Sequence, residues 1–79
     1  MSTTQKARTL LASIPFCFNS NEEALTAESA VNKEFAFPNS ATAFVTNKTL
    51  FVPEHPSRVM RLTIDAFVRA RGGRRSNDC

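Results

Sequence analysis

The sequence predicts a small α+β domain on three observations. Apolar residues recur with helical spacing near the N-terminus and again in the last third, and two strand-like runs flank a two-residue turn between them. The 79 residues are 42% hydrophobic, with seven phenylalanines and no tryptophan or tyrosine, which is typical of a compact domain with a dry core. We expect N-terminal helices, a small antiparallel sheet centred on a 42–52 hairpin, and a C-terminal amphipathic helix packed on the sheet.

The N-terminal part of the chain predicts two helices. Between Thr3 and Ser13, apolar residues recur at i, i+3, i+4 and i+7, which indicates a first helix. The short apolar run over residues 15–18 fits either a strand or a buried crossing. Ser20 followed three residues later by Glu23 has the form of a capping box and predicts a second helix from about Asn21 to Lys33.

The middle of the chain has strand-like patterning. Residues 34–37 predict a short strand, followed by a turn at 39–40. Residues 42–46 and 49–52 flank Asn47-Lys48 and predict a hairpin with a type I′ turn, because asparagine tolerates the left-handed backbone of that turn. Both faces of this hairpin are apolar, so we expect it to be buried on each side or completed by a partner. The predicted cross-strand pairs are Thr46 with Thr49, Val45 with Leu50, Phe44 with Phe51, and Ala43 with Val52.

The last predicted helix begins after Ser57, a natural N-cap, and ends before Gly72, a natural residue for the position after a helix. Apart from a few polar residues on one edge, the helix is mostly apolar. This pattern predicts a helix that is largely enclosed and exposes one polar edge to solvent. With the hairpin and the other helices it forms a single domain over residues 1–73, followed by a flexible basic tail over 74–79. The polar edge consists of Arg58, Arg61, Asp65 and Arg69.

The net charge of +3 arises in the C-terminal part of the chain, because residues 1–53 are formally neutral. Asp65 lies four residues from both Arg61 and Arg69, so local ion pairs with both are expected. The arginines beyond the helix have little local acid and are free to contact a partner. The candidate residues for binding a partner or a phosphate are Arg58, Arg61, Arg71, Arg74 and Arg75.

Apolar surface is the second candidate feature. The hairpin and the last helix carry more apolar surface than we expect a monomer of this size to bury, which predicts a homodimer or a subunit of a larger assembly. Phe44, Phe51 and Phe67 are the candidate interface residues. The favoured function is therefore a small non-enzymatic regulator, inhibitor or accessory subunit that binds protein through apolar surface and the arginine-bearing helix. The alternative is a nucleic-acid-binding regulator that contacts phosphates through the C-terminal arginines.

The sequence offers no catalytic, cofactor or metal signature. It has no glycine-rich phosphate loop and no recognisable nucleophile motif, and His55 is its single histidine. Cys17 and Cys79 lack the spacing of a metal site, so we expect no metal. In a cytoplasmic protein we expect both to be free thiols, and a disulfide between them is the alternative. No apolar run reaches the length of a membrane span. These motifs resemble no family closely enough to name one.

Overall fold

A computed structural model describes residues 12–79 and confirms the α+β class. This part of the chain forms two helices and a four-stranded antiparallel sheet with strand order β2-β3-β1-β4. Short 3₁₀ turns cover Pro38–Ser40 and Ser76–Asp78. In chain order the elements are β1 (Ser13–Cys17), α1 (Asn21–Glu34), β2 (Phe44–Thr46), β3 (Thr49–Pro53), α2 (Arg58–Ala70) and β4 (Arg74–Arg75).

Strand β1 occupies a central position in the sheet and corresponds to the strand alternative for residues 15–18. The predicted helix over Thr3 to Ser13 lies outside the described residues except for its last two positions, and Ser13 already begins β1. The strand pairs along its whole length with β3, from Ser13 opposite Pro53 to Cys17 opposite Thr49. Residues 15–17 of the apolar run therefore belong to a strand, and Phe18 follows in the loop after it.

The hairpin has the predicted register and turn. Phe44 lies opposite Phe51, and the pairs continue in step to the two turn residues. Asn47 and Lys48 both have positive φ, 51° and 65°, as a type I′ turn requires. The predicted pair of Ala43 with Val52 is not part of this ladder, because β2 begins one residue later, at Phe44.

The short strand predicted over 34–37 is wrong. Helix α1 runs through Glu34, and the N–H of Phe35 donates to the carbonyl of Val31 at 2.9 Å, which completes the last turn. The next residues are extended but belong to no strand. Asn39 and Ser40 then take positive φ, 62° and 59°, at the position of the predicted turn.

Helix α1 begins as predicted. The hydroxyl of Ser20 accepts a hydrogen bond from the N–H of Glu23 at 3.1 Å, which satisfies one of the free donors of the first turn. The face that α1 turns toward the sheet is made of the small residues Ala24 and Ala27 together with Val31, all fully buried. Small side chains allow the helix to lie close to the sheet.

Two asparagines of α1 fasten the helix to the hairpin at both ends. The side chain of Asn32 donates to the carbonyl of Ala43 at 3.0 Å and accepts from its N–H at 2.8 Å. The side chain of Asn21 accepts from the N–H of Lys48 at 2.7 Å. Asn32, near the end of α1, contacts Ala43 just before β2, and Asn21, at the start of α1, contacts Lys48 in the turn just after β2. Helix α1 therefore runs antiparallel to β2 in a fixed position.

The core lies on one face of the sheet, beneath both helices. In β1 and β3, Phe16 pairs with Leu50, and both side chains are buried on the face that carries the helices. Alternate residues, such as Phe51, face the other way. The buried apolar side chains of the core are Phe16, Phe18, Ala24, Ala27, Val31, Phe37, Ala43, Leu50, Val52, Ile64 and Val68.

The C-terminal residues form part of the sheet, in contrast to the predicted free tail at 74–79. Arg74 and Arg75 form β4 on the open edge of β1, and the 3₁₀ turn after them leads Cys79 back to Cys17. The two cysteines form a disulfide with their Cα atoms 6.5 Å apart, so the expectation of free thiols is also wrong. The sequence allowed this pairing but did not favour it, because cysteines 62 residues apart give no local signal of contact.

Two glycines set the path from α2 into β4. Gly72 has φ of 98°, the left-handed conformation predicted for the residue after the helix. Gly73 is required for a different reason, because a Cβ there would lie 2.6 Å from Val68 Cγ1 and 2.8 Å from Phe18 Cζ. The chain therefore passes against the core at Gly73 before it reaches the sheet edge.

Replacing Asn32 by alanine is expected to lower the free energy of unfolding by about 2 kcal/mol, because the buried N–H and carbonyl of Ala43 lose both partners. Denaturant unfolding followed by circular dichroism measures this. Lys33→Ala, at the next and exposed position, serves as the control and should change stability by less than about 0.5 kcal/mol. Equal losses in the two variants would show that the asparagine contact does not fasten the helix.

Candidate protein-binding surface

The outer side of α2 is an exposed apolar stripe, where the sequence predicted an enclosed helix with a polar edge. In α2 only Ile64 and Val68 are buried. Val59 is 70% exposed and Leu62 is 64% exposed, which are large fractions for aliphatic side chains. We use the name α2 stripe for the exposed residues Val59, Leu62, Ala66 and Ala70.

Helical geometry explains why this stripe faces solvent. Ile64 and Val68 are four residues apart and therefore lie on one line along the helix, the line that meets the core. The stripe residues follow one another at intervals of three and four, and at about 100° per residue they lie on the opposite side. Helix α1 already covers the sheet over β2 and β3. Helix α2 therefore places only the line of Ile64 and Val68 in the core.

One flank of the α2 stripe is basic. Arg58 and Arg69 are both exposed and lie next to Leu62 around the helix. Arg69 Nε donates to Asp65 Oδ2 at 3.0 Å, which is one of the two ion pairs predicted for this aspartate. The other cation near Asp65 is Arg75, whose Nη1 lies 4.0 Å from Oδ1, in place of the predicted Arg61.

Arg61 fixes the beginning of α2. Its Nη1 donates to the carbonyl of His55 at 2.9 Å and to that of Pro56 at 3.2 Å. The ring Nδ1 of His55 accepts from the N–H of Ser57 at 3.0 Å, and the hydroxyl of Ser57 accepts from the N–H of Met60 at 3.3 Å, as predicted for an N-cap. Arg61 and His55 therefore hold the segment that leads into the helix.

The other predicted arginines lie apart from the α2 stripe. The guanidinium of Arg71 stacks 3.7 Å from the ring centre of Phe67 and donates to its carbonyl. Arg74 Nη2 donates to Asn19 Oδ1 at 3.5 Å, and Arg75 lies over the ring of Phe16 at 5.7 Å. Of the five candidate arginines, Arg58 and Arg61 belong to α2, and the other three follow it toward the sheet edge.

The three candidate interface phenylalanines do not form one surface. Phe44, 49% exposed, stacks on Phe51 with ring centres 5.1 Å apart, on the sheet face that points away from the helices. Phe67 is half-buried and contacts Phe35 edge to face at 5.0 Å.

The sequence did contain the spacing of the α2 stripe. It also contained a second apolar line through Ile64 and Val68, and periodicity alone does not tell which line faces the core.

Comparison with protein-family models, with curated proteins and with solved structures finds no match to this chain. Over residues 12–79, no three histidine, cysteine, aspartate or glutamate side chains lie close enough to share a metal ion. Neither helix in that range has the length and apolar character to cross a bilayer.

Arg61→Ala is expected to lower stability by about 1 kcal/mol, because the carbonyls of His55 and Pro56 lose a charged donor in a partly exposed position. Arg58→Ala, at the exposed neighbouring arginine, should stay within about 0.5 kcal/mol of the parent. Thermal unfolding of both variants measures the difference. If the two variants unfold at the same temperature, Arg61 does not anchor the segment before α2.

Proposed function

We propose that this chain is a small protein-binding regulator or accessory subunit whose α2 stripe docks into an apolar groove with an acidic rim on another protein. The observation that carries the proposal is the exposure of Val59 and Leu62 on one helix face. A helix that lays an apolar face into a groove is a common mode of protein recognition, with anchors at i, i+3 and i+7. Here those positions are Val59, Leu62 and Ala66.

The basic flank supports an acidic partner. Arg58 and Arg69 border the stripe on one side only, so carboxylates along one rim of the groove would complement them and fix the direction of the helix. Rim charges contribute mainly to the association rate and to specificity. The aliphatic anchors supply the affinity, about 1–2 kcal/mol each for burying the exposed part of a valine or leucine side chain.

Charge also favours a different protein over a second copy of this chain, the other partner expected from the sequence. In a two-fold symmetric antiparallel pair of helices, the same flank of each helix meets the other. The flank with Arg58 and Arg69 would then face its own copy, and these arginines would repel, although Asp65 partly offsets the charge of Arg69.

The nucleic-acid alternative has weaker support. Phosphate binding needs cations that are free and arranged along one surface. Arg61, Arg71 and Arg74 each donate hydrogen bonds within the chain, and they lie on different parts of the molecule. The exposed cations on α2 are Arg58 and Arg69, which is paired with Asp65, and both lie beside an apolar stripe that would not suit a phosphate backbone.

The disulfide bears on where this binding takes place. The cytoplasmic location expected from the sequence assumed two free thiols. A bridge between Cys17 and Cys79 instead favours an oxidising compartment, because cytosolic thiol systems keep such pairs reduced.

Leu62→Gln tests the proposal, with Leu25→Gln as its matched control. Both leucines are more than half exposed on a helix, at 64% and 51%, but Leu25 lies on α1. The intact chain and the two variants serve as bait, and any captured protein is purified and titrated by calorimetry. Leu62→Gln should weaken binding about tenfold, since it removes about 1–2 kcal/mol of apolar burial, and Leu25→Gln should leave it unchanged.

Equal loss in the two variants would contradict the assignment of the α2 stripe. Light scattering that shows a dimer of the intact chain, abolished by Leu62→Gln, would replace the proposed partner by a second copy. Binding to duplex DNA or RNA that falls steeply with salt and is insensitive to Leu62→Gln would favour the alternative function.

A further inference from the structure

The C-terminal arm, residues 74–79, is attached to the domain by a small number of contacts and one covalent bond. Strand β4 is two residues long and pairs only with β1, Arg75 opposite Phe16 and Arg74 opposite Cys17. The side chains of residues 74–77 and Cys79 are exposed, and the core ends before the arm begins. A two-residue strand with exposed side chains has little stability of its own. The disulfide of Cys79 with Cys17 is therefore its main attachment.

We propose that the Cys17–Cys79 bridge is a redox latch, and that its reduction releases the C-terminal arm while the rest of the domain stays folded. The bridge is accessible, because Cys79 is exposed and Cys17 is only half-buried. Exposed disulfides are the ones that exchange readily with thiols. Gly73 marks the boundary of the released segment, since it is packed against Val68 and Phe18 and remains with the core.

A dithiol reductant carries out the opening. Its thiolate attacks Sγ of the exposed Cys79, a mixed disulfide forms, and the sulfur of Cys17 leaves as a thiolate. The second thiol of the reductant then attacks the mixed disulfide and releases Cys79. Two electrons and two protons pass to the protein, which gains two thiols, and the reductant becomes a cyclic disulfide. Oxidation reverses each step.

Release of the arm changes two surfaces. The outer edge of β1 loses its partner strand and presents free backbone donors and acceptors, the feature through which sheet edges bind additional strands. Arg75 also leaves a cleft of about 270 Å³ that it lines together with Phe16, Arg61 and Asp65. Oδ1 of Asp65 is buried and has no hydrogen-bond partner among the described residues, and Arg75 is the cation beside it. The latch thus controls both an edge and a cleft, and it does not rest on the α2 stripe.

Nuclear magnetic resonance of the full chain tests the latch in three samples: oxidised, reduced with dithiothreitol, and the variant Cys17→Ser/Cys79→Ser. In the reduced sample and in the serine variant, amide order parameters over 74–79 should fall from about 0.85 to below about 0.6. The methyl shifts of Val31, Leu50 and Val68, all fully buried, should remain those of the oxidised chain. Oxidised Arg75→Gln is the control, and its arm should stay ordered because the bridge is intact.

Three outcomes would overturn the proposal. Order parameters over 74–79 that stay high in the reduced chain would show that the bridge does not hold the arm. The bridge would be a staple of the whole fold if the core methyl shifts collapse together with the arm in both the reduced chain and the serine variant. Resistance of the folded, oxidised chain to dithiothreitol without denaturant would show that the bridge is closed to exchange.

Discussion

The attachment of α1 to the hairpin is the constraint on which the other parts of this structure depend. Asn21 and Asn32, near the two ends of α1, bind the backbone on either side of β2, which sets the direction and position of the helix over the hairpin. With α1 fixed over β2 and β3, the space left on the inner face of the sheet is narrow. Helix α2 fills it with Ile64 and Val68 and leaves its opposite side to solvent.

Local features of the fold could be predicted from the sequence because they depend on neighbouring residues. The capping of α1 by Ser20, the register of the hairpin and the stop at Gly72 each follow from side chains a few positions apart. Features that depend on distant residues could not. Strand β4 and the bridge of Cys17 to Cys79 exist because a chain end returns to the first strand, and no local pattern shows that return.

The candidate surface could likewise be predicted only in part. The sequence indicated that the C-terminal helix carries positive charge and excess apolar surface. It predicted, however, that the arginines of this helix are exposed and that its aliphatic residues are buried. Arg61 has the opposite role, since it holds the backbone at His55 and Pro56. Which apolar line of α2 is buried depends on contacts outside that helix, among them the placement of α1, and the contact of Asn32 that holds α1 has no signal in the sequence.

The exposed stripe lies on a helix that is held at both ends. Ser57 and Arg61 fix its beginning, and Gly72 and Gly73 fix its end against Val68 before the chain reaches the bridged edge of the sheet. A binding helix that is already formed and immobile loses little conformational entropy when it docks. In the proposed complex a few exposed aliphatic side chains of a 79-residue chain would supply the affinity, so a low entropic cost of docking matters. The fixed position of α2 therefore supports the proposal that so small a stripe is a binding surface.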